Sequence, residues 1–307
     1  MTVSLSMWIG FSLFVLLMLA LDLGVFHRKA HVVRMKEAVT WSVVWIALAF
    51  AFNALVYQWY GEQKALEFLT GYIIEKTLSV DNVFVFVVLF GAFAVPREYQ
   101  HRVLFWGVLG ALVMRAVCIA LGAALLQHFH WVIYLFGALL VLTAGKLLRQ
   151  KNETLDPSRN PLYRLFANRI PSVPEYDGEK FFTIRNGKRF ATPLLLVLIA
   201  IEATDLVFAV DSIPAIFAVT NDPFIVYTSN VFAILGLRAL YFVLADVVDK
   251  FVYIKPALAV ILGFVGVKML LMDVYKIPIG VSLGVIATTL LVAVVASVIR
   301  QRQRAMT

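Results

Sequence analysis

An all-α integral membrane protein with about nine transmembrane helices is the fold class this sequence predicts, and three observations predict it. Of its 307 residues 62% are hydrophobic and only 15% charged, where a soluble domain carries about 25% charged residues. With a mean hydropathy of +0.87, too few polar residues remain to cover a water-soluble globule. Apolar runs of spanning length recur along the whole chain and are continuous rather than alternating, which favours helices over a transmembrane β-barrel. The basic residues gather in alternate loops between these runs, so the net charge of +8 reflects membrane topology and no nucleic-acid partner is expected.

The runs place spans at 5–26, 39–58, 68–94, 103–127, 131–148, 191–218, 224–245, 256–272 and 277–299. Met1 to Trp8 carries no Lys or Arg, so the first run reads as a true membrane helix rather than a cleaved secretory signal. Nine spans put the two ends on opposite sides. With the N-terminus outside, 21 of the 27 Lys and Arg fall in inside segments and only Lys64 and Lys276 outside; Lys76, Arg115, Arg238 and Lys268 lie within spans. That ratio predicts an outside N-terminus and a cytoplasmic C-terminus.

Two membrane halves follow, 1–149 and 191–307, joined by a cytoplasmic linker at 150–190. Pro157, Pro161, Pro171 and Pro174 rule out a long helix there. Phe182–Arg185, then Asn186-Gly187, then Lys188–Ala191 predict a small hairpin closed by a type I′ turn.

The halves share a pattern. Segment 73–82 reads IIEKTLSVDN and segment 203–212 reads ATDLVFAVDS. Each holds a carboxylate, four residues, then Val-Asp and a small polar residue. One span later come Gly110 with Arg115 and Gly236 with Arg238; one span after that, Gly145-Lys146 and Gly266 with Lys268. Spans three to five (68–148) and six to eight (191–272) are therefore expected to be three-helix repeats. The first starts outside and the second inside, and such inverted repeats, with sites near the midplane, mark secondary transporters. Chance similarity between Leu- and Val-rich helices is the alternative.

The membrane-embedded acids carry the chemistry. Asp22, Glu75, Asp81, Glu202, Asp205 and Asp211 fall within spans, and an Asp at a helix centre costs about 2.5–3.5 kcal/mol to insert. Pairing with Lys76, Arg115, Arg238 and Lys268 as structural glue would offset part of this but leave acids over, so a cation site with some bases as counter-charges or gates is the sharper reading. Glu202 and Asp205 share a helix face at i, i+3; so do Glu75 and Asn82, and Asp205 and Ser212, at i, i+7. Glu75 and Asp81 lie about 240° apart on a regular helix, as do Asp205 and Asp211. They meet only if the helix unwinds between them, and Pro214 is placed to break span six. Asp22, near the inner end of span one, and Asn53, which suits an interhelical hydrogen bond, are weaker candidates.

Oxygen donors favour hard cations such as Mg²⁺, Ca²⁺ or Mn²⁺. All five histidines lie in loops or at span ends, which disfavours a midplane zinc or copper site and a bis-His haem. His128 and His130 read as a solvated pair. Cys118 is the one cysteine, which excludes an intramolecular disulfide or a CxxC pair. No permanently bound cofactor, no catalysis and no ATP-binding motif are expected.

The segments LTGYIIEKTLSVDNVFVF (69–86), ATPLLLVLIAIEATDLVFAVDSIPAIFAVTNDPFIVYTSNVFAILGLRALYF (191–242) and ILGFVGVKMLL (261–271) resemble the TerC family, and most its Alx branch, from Asp22 to about residue 290. The resemblance implies a bacterial inner-membrane protein with inverted repeats, in a family linked to tellurite resistance and alkaline-induced expression, with members implicated in exporting manganese. It maps the family's intramembrane acids onto Glu75, Asp81, Glu202, Asp205 and Asp211, with Asn82 and Ser212 beside them. Manganese comes from the resemblance; the residues themselves reach a hard divalent cation. An Mn²⁺ exporter working by rocking of two repeats, with proton coupling through the clustered acids, is the reading adopted. A membrane redox modulator is the alternative, and a scaffold that docks membrane-protein partners on the 150–190 loop is a third.

Overall fold

The computed structural model describes residues 4–21, 33, 35–129, 131–149, 170–245 and 253–305. Its helices are α1 (Leu5–Leu21), α2 (Met35–Tyr60), α3 (Glu62–Ala92), α4 (Arg97–His128), α5 (Val132–Arg149), α6 (Pro193–Phe217), α7 (Pro223–Leu235), α8 (Leu237–Leu244), α9 (Ile254–Leu270) and α10 (Ile279–Ala305), with strands β1 (Phe182–Arg185) and β2 (Lys188–Ala191) between α5 and α6. Among the described residues, α2, α4, α5, α6 and residues 279–300 of α10 are long and apolar enough to cross a membrane, and the bent α7–α8 pair makes a sixth. That is fewer than the nine spans expected. α3 has the length, 31 residues, but Glu62, Lys64, Glu67, Glu75, Lys76 and Asp81 make it too charged. α1 and α9 are apolar but short.

The breaks fall elsewhere than expected. α3 and α6 both run unbroken past their carboxylates. Pro214 sits three residues from the end of α6, so only the last turn must absorb its missing N–H. The expected single span 224–245 is instead interrupted at Gly236, where α7 and α8 meet at 40°.

α3 is the hub, packed against α2, α6, α7, α8 and α10, while α4 lies on α6 and α7. α2 and α3 are joined by Gly61 alone, whose φ of +83° suits glycine. Phe11, Phe52, Phe68, Phe224 and Phe232 interlock α1, α2, α3 and α7 in one aromatic core.

α5 and α9 pack face to face through two glycines. A Cβ on Gly137 would sit 3.0 Å from the Gly266 carbonyl, and one on Gly266 would sit 2.8 Å from the Gly137 carbonyl. Small residues permit this backbone approach. Further along α5, Ala144 meets Gly263 of α9, so the two helices run antiparallel. Gly145, matched in sequence with Gly266, has open space around it; Gly137 is the packed counterpart.

β1 and β2 pair antiparallel from Phe182↔Ala191 to Arg185↔Lys188. Asn186 (φ 52°) and Gly187 (φ 74°) both take the positive φ of a type I′ turn. The segment docks on the α3–α4 turn. Tyr176 donates its hydroxyl to the Phe93 carbonyl at 2.6 Å, and Arg102 pairs with Glu179 at 2.9 Å while lying over the Phe181 ring.

The opposite face has its own landmark. Lys64 and Glu67 near the start of α3, Gln127 near the end of α4, Thr220 and Asp222 in the α6–α7 turn, and Met272 after α9 line a cavity of about 440 Å³.

Candidate functional site

Three helices bring charges together in the protein interior, and a fourth adds an amide. Arg115 on α4 is 1% exposed. Its Nε donates to Asp205 Oδ2 at 3.3 Å and its Nη2 to Asp205 Oδ1 at 2.9 Å. Its Nη1 donates to Glu75 Oε1 and, at 3.2 Å, to Ser212 Oγ. Glu75 comes from α3, Asp205 and Ser212 from α6. The planar guanidinium fork suits two carboxylates at once, which a lysine could not bridge in this way.

Two amides complete the ring. Asn82, two turns after Glu75 on α3, donates Nδ2 to Asp205 Oδ1 at 3.3 Å; Asn230 on α7 donates Nδ2 to Glu75 Oε2 at 3.1 Å. A carboxylate only accepts, so each amide turns its nitrogen to the acid and its oxygen away. Both amide oxygens are buried without a hydrogen-bond partner. Counted by formal charge, Glu75, Asp205 and Arg115 carry a net −1.

The i, i+7 spacings therefore bring Glu75, Asn82, Asp205 and Ser212 to one place, and the other expected residues lie apart from it. Glu202 faces α4, as its i, i+3 spacing with Asp205 predicts, and rests on Gly110, where a Cβ would come within 2.1 Å of Glu202 Oε1. Asp211 faces α5 and accepts from Thr143 Oγ1 at 2.8 Å. Without unwinding of α6 it does not join Asp205. Asp22 and the side chain of Asp81 lie outside the described residues.

The bases divide similarly. Lys76 diverges from Glu75 and donates to the Ala233 carbonyl at 3.3 Å, where a cation suits the C-terminus of α7. Its Nζ would be 2.6 Å from a Cβ on Gly236. Gly110 and Gly236, matched in the sequence, thus each make room for a charged side chain from the first helix of the other expected repeat. Lys268 donates to Ser282 at 3.0 Å, and Arg238, 8% exposed, opens α8. Asn53 lines a cavity with Tyr57 and Glu62, and its buried Oδ1 accepts no hydrogen bond among the described residues. Among the described residues, no three His, Cys, Asp or Glu side chains form a group that could hold a metal ion.

Sequence reasoning missed two features. Asn230 is one, although Thr228-Ser229-Asn230 is a polar triplet inside an apolar helix. The other is the mouth of the 440 Å³ cavity, where Lys64 pairs with Glu67 at 2.5 Å and approaches Asp222 at 3.8 Å. Asp222 also caps α7 by accepting from Phe224 N, a pattern that Asp-Pro announces.

Residues 60–305 match the model of the Integral membrane protein TerC family. An uncharacterized membrane protein of Myxococcus xanthus, STKORF319, is 56% identical over 297 residues, covering 97% of this chain and 93% of its own. A protein of Escherichia coli (strain K12), provisionally named membrane-bound redox modulator Alx, is 50% identical over 290 residues, 91% of this chain and 90% of its own. An uncharacterized membrane protein of Rickettsia bellii is 44% identical, covering 96% and 97%. No solved structure matches the chain. The chain is a multi-pass integral membrane protein and belongs to the TerC family.

Proposed function

We propose that this protein exports a hard divalent cation, Mn²⁺ foremost, across the bacterial inner membrane, using the Glu75–Asp205 cluster as its binding site and no permanently bound cofactor. One observation carries the proposal: two carboxylates and the groups that hold them are buried together inside the helix bundle, where each charge is costly and marks an ion path by default. The choice of manganese rests on the family resemblance. The cluster binds rather than reacts, so no catalytic step is assigned to it.

The carrier is taken to have nine spans and two inverted repeats, and the packing supports the repeats. The first helix of each repeat, α3 or α6, packs on the second helix of the other, α7 or α4, and the third helices, α5 and α9, meet antiparallel at Gly137 and Gly266. Rocking of one repeat against the other about this contact would open the cluster to either side. The charge asymmetry of the loops supports an outside N-terminus and a cytoplasmic hairpin. Phe182 and Ile184, exposed on that hairpin, would suit a membrane-protein partner.

The test is the purified protein in liposomes loaded with an Mn²⁺-sensitive dye. Mn²⁺ flux above that of protein-free liposomes is the expected result; its absence under imposed Mn²⁺ and proton gradients of either sign would overturn the reading. The name carried by the Escherichia coli relative favours a second reading, redox modulation in the membrane. With Cys118 as the one cysteine, an internal thiol–disulfide couple cannot supply it, so that reading requires a redox partner.

A further inference from the structure

The arginine in the cluster stands where a bound cation would. Its guanidinium takes an oxygen of Glu75, both oxygens of Asp205 and the Ser212 hydroxyl. Those oxygens, with the unpartnered amide oxygens of Asn82 and Asn230, amount to the six or more oxygen donors that a hard divalent cation takes. A divalent ion added with Arg115 still in place would turn the cluster's −1 into +1, at high cost in a low-dielectric interior. If the guanidinium leaves, the ion and the two carboxylates sum to zero. The ion and the guanidinium therefore exclude each other.

A second destination for the guanidinium stands on the same pair of helices, α4 and α6. Glu202 sits on α6 one turn before Asp205 and faces α4, the helix of Arg115. Among the described residues its half-buried carboxylate has no hydrogen bond or ion pair.

Resting on the carrier reading above, we propose that Arg115 is a tethered cation that alternates with the transported metal: it neutralises Glu75 and Asp205 in the empty protein and swings to Glu202 when the metal arrives. Asn82 and Asn230, released from donating to the carboxylates, rotate their amide oxygens onto the metal. Asn230 is thereby a metal ligand from α7, the helix that ends at the Gly236 bend. Counted as carboxylates, Glu75, Asp205 and Glu202 with Arg115 carry −2, which one divalent cation cancels.

The test is equilibrium Mn²⁺ binding to the full-length protein in detergent, read from the free-Mn²⁺ paramagnetic resonance signal. Arg115→Gln should bind Mn²⁺ about tenfold or more tighter than the unaltered protein, tenfold being 1.4 kcal/mol, yet lose flux in liposomes because nothing displaces the ion. Glu202→Gln should weaken binding in the unaltered background and change nothing once Arg115→Gln is present, because Glu202 acts through Arg115. Asn230→Leu should weaken binding in both backgrounds.

Binding by the unaltered protein that Arg115→Gln leaves unchanged or weakens would overturn the tethered-cation proposal and leave the carrier reading standing. No binding by the unaltered protein or any variant would overturn both. Should Arg115→Gln fail to accumulate, Arg115→Lys decides: it keeps the charge but cannot bridge both acids, and it too must bind Mn²⁺ more tightly.

Discussion

At the scale of single residues, charge counting makes a prediction that separates neutralising one acid from neutralising both. Asp205→Asn leaves Arg115 paired with Glu75, so the protein should accumulate in membranes at its normal level while losing Mn²⁺ flux. Glu75→Gln should behave alike. The double variant leaves Arg115 only Glu202 to pair with, so with Glu202→Gln added it strands a buried guanidinium; an uncompensated buried charge costs about 3–5 kcal/mol, and the membrane level of that triple variant should fall. Adding Arg115→Leu should restore that level without restoring flux. A triple variant that accumulates normally would show that Arg115 is not held by these acids as described. Glu75, Asn82, Asp205 and Ser212 were legible because a carboxylate in an apolar span is conspicuous and seven residues return a helix to nearly the same face. Arg115 was legible only as a counter-charge, since its fork geometry depends on which helices pack. Asn230 was not, because a neutral amide in a membrane helix is ordinarily explained by one interhelical hydrogen bond.

At the scale of elements, the α5–α9 contact gives a sharp contrast between two glycines of one sequence motif. Gly266→Ala places a methyl 2.8 Å from the Gly137 carbonyl, and backbone cannot yield as a side-chain tip can. Overpacking of this kind costs about 1–3 kcal/mol, so the melting temperature in detergent should drop. Gly145→Ala, with open space, should leave it unchanged or raise it, since Ala exceeds Gly in helix propensity by about 1 kcal/mol. Equal effects would mean that the contact is not tight. The hairpin offers a pH test. The Thr183 hydroxyl at 2.9 Å, then the Lys180 ammonium, hold the Asp177 carboxyl below its ordinary value. A depressed folded pKa contributes stability that is present above the unfolded pKa of about 4 and lost as pH falls through the folded value. Amide protection in β1 and β2 should therefore weaken on acidification, and less so in Thr183→Val; identical acid profiles would rule this out. The hairpin itself was readable from Asn186-Gly187, whose required backbone angles few residue pairs supply. The broken helix was not. Pro214 marked the wrong one, since a proline in a last turn is harmless. At Gly236 Lys76 and Trp45 leave no room for a side chain, a tertiary arrangement that local sequence does not carry.

At the scale of the whole molecule, the packing sorts the loops onto two faces, and the loop charges predict which face is cytoplasmic. The 170–192 segment docks on the α3–α4 turn through Tyr176–Phe93 and Arg102–Glu179, so these two regions share a face. The start of α3, the end of α4 and the α6–α7 turn share the other through their common cavity. This is the alternation that the basic residues predict, with the hairpin face inside. Length and apolarity alone could not reach it, because the helix at the centre of the bundle, α3, is the one most charged. The prediction is made in a protein whose single Cys118 has been replaced by Ser. A cysteine substituted for Lys188, exposed on the hairpin, should resist a membrane-impermeant maleimide in intact cells and react once the membrane is opened. One substituted for Asn221, exposed in the α6–α7 turn, should react in intact cells. The reverse pattern would invert the protein in the membrane and with it the direction in which a cytoplasmic cation would have to travel. Labelling of both positions from outside would place the two faces on one side, and neither the antiparallel α5–α9 contact nor the exchange of α4 and α7 between repeats could then reflect inverted halves.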